Sequence, residues 1–116
     1  MKQITILITL LSLGFTSTAQ VNVELNIEHR LNNSPFSYNS TSQAPGGYNF
    51  TVDRLQYYVS EISIIHDGGT YTSVENTWLL VDAGDDANFE LGTFDITNIE
   101  GIAFYVGVDR DTNNAD

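Results

Sequence analysis

Two histidines, an absence of cysteine and several closely spaced carboxylates define what chemistry this sequence of 116 residues can offer. Neutral imidazole, at His29 or His66, is a good ligand for borderline transition metals. Without cysteine the chain has no thiolate ligand and no cysteine nucleophile. Asp109, Asp111 and Asn113 place oxygen side chains at alternate positions, as at the start of a D-x-D-x-N calcium loop. Asn114 stands where the sharp-turn glycine of such a loop belongs, and Asp and Asn also favour plain polar turns. The cluster Asp82, Asp85 and Asp86 reads as a solvated turn. No G-x-S-x-G elbow, phosphate-binding loop or H-E-x-x-H is present, and no serine and carboxylate are spaced as a triad or an acid–base pair. A binding protein is expected, not an enzyme.

His29 stands out because of the strand that leads to it. In VNVELNIEHR, residues 21–30, Val21, Val23, Leu25 and Ile27 share one side and Asn22, Glu24, Asn26 and Glu28 the other. That two-residue period predicts a half-buried β-strand, and the next inward position is His29. A stiff strand would hold a ligand imidazole in a fixed direction. The alternative is a strand-end histidine that bonds a carbonyl or meets solvent. One imidazole is not a transition-metal site, which needs two or three strong donors. His66 lies at another predicted strand end, beside Asp67-Gly68-Gly69, and reads as structural or solvent-facing.

The elements that would position these groups are all extended. The first nineteen residues, with Lys2, an apolar run from Ile4 to Phe15 and small residues at Ser17 and Ala19, read as a secretory signal peptide. The apolar run is too short for a membrane span. Residues 20–116 are then one small exported domain: periplasmic, cell-surface or secreted. Loss of Lys2 takes the net charge of −11 one unit further negative, which disfavours nucleic acid and anionic membrane as partners. It suits divalent cations, or solubility alone.

Residues 31–50 read as a long surface connection with a turn at Pro45-Gly46-Gly47. A strand is predicted from Gln56 to Ile65, with Tyr58, Ser60, Ile62 and Ile64 on one face and His66 continuing that row. Asp67-Gly68-Gly69 is a hairpin turn returning through Thr70–Ser73. Further strands are expected at Thr77–Val81, Phe89–Phe94 and Glu100–Asp109, the last with Ile102, Phe104, Val106 and Val108 on one face. Short strands with regular turn signals predict an all-β antiparallel sandwich, immunoglobulin-like or barrel-like. Five or six strands fall short of the usual seven, so the domain is expected to stop short at its C-terminus.

The order of IEHR, LQYYVSEISII, WLLVDAG and IEGIAFYVGVD resembles the MbnP-like family, exported copper-binding β-sandwich proteins associated with methanobactin systems. The likeness runs from Val21 to Asp109. Its most specific pieces are Tyr57-Tyr58-Val59-Ser60 followed by Ile62, and Gly107-Val108-Asp109 closing an apolar strand. The resemblance implies copper binding outside the cytoplasm by histidines and, in some members, by a kynurenine made from tryptophan. It matches His29 to a family histidine and places the remaining ligands past the final strand, beyond Asp116. Trp78, the sole tryptophan, has no neighbouring histidine in the sequence. A second reading is an extracellular structural or adhesive module, calcium-stabilised at Asp109 and Asp111; a third is a carbohydrate-binding module using exposed tyrosines.

Overall fold

A computed structural model describes residues 20–114 and shows an all-β antiparallel fold. The expected signal segment, residues 1–19, lies outside the described residues. β1 (Val21–Ile27) has the alternation read from the sequence: Val21, Val23, Leu25 and Ile27 turn inward, and Asn22, Glu24 and Asn26 are exposed. Two short hairpins follow where a loop was expected. β2 (Arg30–Leu31) pairs with β3 (Ser34–Pro35), and β4 (Ser42–Gln43) pairs with β5 (Asn49–Phe50). Asn32 and Asn33, at φ 51° and 64°, make the two-residue turn of the first hairpin. Asparagine tolerates this left-handed backbone better than most residues, which is why the pair marks such turns.

The long strand β6 (Gln56–His66) forms the middle of a sheet. It pairs on one edge with β10 (Ile99–Val106), and on the other with β7 (Thr70–Ser73) and β8 (Leu79–Asp82). β1 pairs with β9 (Ala87–Phe94) to make the opposing layer. Between the layers lie Val23, Val59, Ile62, Ile64, Val74, Val81, Ala87, Leu91 and Ile96. A one-turn helix, α1 (Arg110–Asn113), ends the described chain.

Three register shifts decide which side chains reach this core, one of them in β10 between Ile99↔His66 and Gly101↔Ile65. In β6, Glu61 is left-handed at φ 48° and adds one residue against β10, between the pairs Ala103↔Ser63 and Tyr105↔Ser60. A bulge switches the face on which alternation continues. Tyr57 and Val59 therefore point inward before it, and Ile62, Ile64 and His66 after it. This corrects the unbroken row Tyr58–Ser60–Ile62–Ile64: Tyr58 is 44% exposed and stands on the other face. Ser60, at the bulge, is buried and donates from Oγ to the Gly107 carbonyl at 2.7 Å. In β9 the register slips between Val23↔Gly92 and Glu24↔Glu90, with Gly92 at φ 113°. Ala87, Phe89 and Leu91 face inward before that slip and Phe94 after it.

Candidate metal centre

His29 lies two residues past the last residue of β1 and keeps that strand's inward parity, half-buried. The Asn32-Asn33 hairpin folds the chain back, and Phe36 N–H donates to the His29 carbonyl at 3.0 Å. Phe36 thereby meets the imidazole edge-on at 6.5 Å between ring centroids. From the other layer Tyr57, inward-facing on β6, meets it edge-on at 5.7 Å, its hydroxyl 2.6 Å from His29 Nε2. Burial raises the Tyr57 pKa, so the phenol keeps its proton.

The cluster continues into a polar anchor. Tyr38 packs edge-on against Phe36 at 5.3 Å. Its hydroxyl donates to Asp82 Oδ1 at 2.7 Å and accepts from Leu55 N–H at 2.9 Å. Asp82 also accepts from Gln56 Nε2 at 2.5 Å and from Gly84 N–H at 2.8 Å. These bonds, that from Gln56 foremost, hold its carboxyl below the usual aspartate value. Gly84 is required here because a methyl group would overlap the Tyr38 ring.

A cleft of about 240 Å³ opens beside His29, with Glu28, Phe36, Asp85 and Asp86 among its lining residues. The two ring nitrogens have different roles there. With Nε2–H donating to the Tyr57 oxygen, the Nδ1 lone pair is free for a metal; with the phenol donating instead, Nδ1 carries the proton. A hydrogen bond from the second ring nitrogen is the usual device for orienting a ligand histidine. The remaining donors at the cleft are carboxylates, which suit harder cations than copper(I). No group of three or more His, Asp or Glu side chains able to hold a metal occurs among the described residues. The described donors alone are thus too few for copper.

His66 is remote from this cleft. It follows Tyr57 by nine residues on β6, or roughly 30 Å at strand spacing. Far from meeting solvent, as one expectation had it, His66 is 7% exposed. Nδ1 lies 2.9 Å from Asp67 Oδ2 and Nε2 lies 2.7 Å from Thr72 Oγ1, so both nitrogens are engaged. Asp67 also accepts from the Thr97 and Asn98 amides at 2.9 and 2.8 Å, tying the β6–β7 turn to the β9–β10 connection. The role of this histidine is structural.

The D-x-D-x-N stretch forms α1 instead of a loop wrapped round an ion. Asp109 caps it, Oδ1 accepting from Thr112 N–H at 2.8 Å, while Oδ2 accepts from Trp78 Nε1 at 3.1 Å. Asp111 and Asn113 lie within the helix, where residues two apart do not face each other. Trp78 is 43% exposed and is bonded to Asp109. Tyr57, Phe36 and Tyr38 are the members of the His29 cluster that the sequence reading did not bring together. The signal for Tyr57 was its place on the inward row, hidden by the bulge at Glu61.

Comparison with known families shows MbnP matched over residues 20–116. The chain belongs to the MbnP family. No match was found among curated proteins or among solved structures. Membership in MbnP associates the chain with copper and methanobactin systems. Among the described residues, no helix is long and apolar enough to cross a membrane.

Proposed function

We propose that this MbnP protein is exported and captures copper, with His29 as one ligand and the other donors supplied from outside the described residues. The observation that carries the reading is the held imidazole: it ends the inward row of β1, and its Nε2 is 2.6 Å from the Tyr57 hydroxyl. It borders an open cleft. Family membership supports copper as the metal. The described residues supply orientation: β1 fixes the ring's direction, Phe36 and Tyr57 pack edge-on against it, and the phenol engages one ring nitrogen. Bound copper would bring redox chemistry, tuned by the shielding of the ring from water. The role is binding, not catalysis.

The test is copper titration of the full chain and its His29→Ala variant, followed by competition with a chromogenic chelator. The proposal expects the variant to lose most of its affinity while its far-ultraviolet circular dichroism is unchanged. Equal affinity in the two proteins removes His29 from the site.

A further inference from the structure

We infer that Tyr38 is a positioning residue for the His29 cleft: its hydroxyl clamps together the two segments that wall the cleft and so fixes where the imidazole meets a cation. The inference deepens the copper function proposed above and rests on it for the ligand. The walls come from segments far apart in sequence. Pro35 and Phe36 line the cleft from the end of the first hairpin, and Gly84, Asp85 and Asp86 line it from the turn between β8 and β9. Among the described residues no strand pairing joins the two. β3 pairs with β2 alone and β4 with β5 alone, and no residue from 30 to 50 belongs to the buried core. Phe36 and Tyr38 are nevertheless half-buried, on either side of exposed Ser37. Something other than the sheets and the core must hold them there.

That group is one carboxylate oxygen. Asp82 Oδ1 accepts from the Tyr38 hydroxyl at 2.7 Å and from the Gly84 amide at 2.8 Å, so it ties the segment of Phe36 to that of Asp85 and Asp86. Hydrogen bonds to an ionised acceptor are the stronger kind. Asp82 stays ionised because the bond from Gln56, then those from Gly84 and Tyr38, lower its pKa. The Tyr38 ring fills the space that a side chain at Gly84 would take, which closes the joint. From the clamp, placement passes to the imidazole through one ring. Tyr38 meets Phe36 edge-on at 5.3 Å and Phe36 meets His29 edge-on at 6.5 Å, while the Phe36 amide donates to the His29 carbonyl at 3.0 Å. Closely packed rings pass a displacement on to their neighbours. Tyr38 acts through Phe36, since Tyr57 supplies the bond at Nε2.

The experiment compares the full chain with Tyr38→Phe, which keeps the ring and removes the clamping hydroxyl, and with Asp82→Asn, which keeps an acceptor oxygen. Nuclear Overhauser contacts between the Phe36 and His29 rings are read without metal, and copper affinity by chelator competition. Tyr38→Phe should weaken the ring contacts and lower copper affinity about threefold to tenfold, with far-ultraviolet circular dichroism unchanged. Asp82→Asn should retain both. Unchanged ring contacts in Tyr38→Phe overturn the inference. So does loss of the fold in that variant, which would assign the clamp to the sandwich. Weakened contacts with unchanged affinity, in a chain whose copper binding needs His29, overturn it as well. If His29→Ala binds copper as tightly as the unmodified chain, the copper function fails, and the ring contacts read without metal still decide the clamp.

Discussion

The imidazole of His29 and the phenol of Tyr57, 28 positions apart in sequence, meet across the two layers at 2.6 Å. One comes from the end of β1 and the other from the start of β6. The contact therefore ties the candidate ligand to both layers of the sandwich, not to the end of a single strand. A ligand histidine held in this way keeps its second ring nitrogen in one direction.

Tyr57→Phe keeps the ring and removes the hydroxyl. The aromatic packing at 5.7 Å should survive, while Nε2 loses its partner. Copper affinity is expected to fall about tenfold, less than in His29→Ala, because an orienting group is lost and not a ligand. Parallel titrations of the two variants check this. An affinity in Tyr57→Phe equal to that of the unmodified chain would mean that the phenol does not orient the ring.

Glu61 occupies a left-handed backbone at φ 48°, which glycine adopts at no steric cost. Glu61→Gly should therefore raise stability by about 0.5–1 kcal/mol, read from the denaturant midpoint. Deleting Glu61 removes the extra residue and makes Val59 and Ile62 alternate positions, so Tyr57, Val59, Ile62, Ile64 and His66 should keep one inward face and the variant should still unfold cooperatively. A deletion variant that exposes Tyr57 and Val59 would contradict the role given to the bulge.

That bulge marks where the sequence stopped being readable. β1 and the β6–β7 hairpin follow from local rules: alternation in one, and three successive residues with positive φ, Asp67, Gly68 and Gly69, in the other. The all-β class followed from the same rules, and the family from the order of its motifs. A bulge carried by glutamate has no compositional mark, so His66 was read on the row of Ile62 and Ile64, as found, but Tyr58 was put on that row in place of Tyr57. Asn32-Asn33 announced a turn, but the return of Phe36 onto His29 depends on pairing that sequence does not encode locally. The capping role of Asp109 was hidden because a helix N-cap and a calcium ligand call for the same residue type.

Ile64→Ala and Phe104→Ala separate the covered part of the interior from the uncovered part. Ile64 is 1% exposed, and its truncation should cost about 2–5 kcal/mol. Phe104 is 42% exposed although it belongs to the inward row of β10, so its truncation should cost under about 1 kcal/mol. Chemical denaturation of the full chain measures both. Similar losses at the two sites would show that β10 is already covered.

Acid titration should release the chain's anchors in a defined direction. The Thr97 amide, and after it the His66 side chain, lower the Asp67 pKa. A lowered carboxyl pKa contributes stability that is complete above the unfolded value of 3.8 and is lost as pH falls through the folded one. The advantage of the unmodified chain over Asp67→Ala should accordingly be constant at neutral pH and shrink in acid. Asp109 reports the same effect locally. The Thr112 amide, the Thr112 side chain and the Trp78 indole together hold it at about 2. Trp78 is the sole tryptophan, so its fluorescence should hold steady down the acid range and change as pH falls through about 2. Asp109→Ala should show the changed emission already at neutral pH. A fluorescence transition near the ordinary aspartate value instead would mean that the bond between Trp78 and Asp109 does not form.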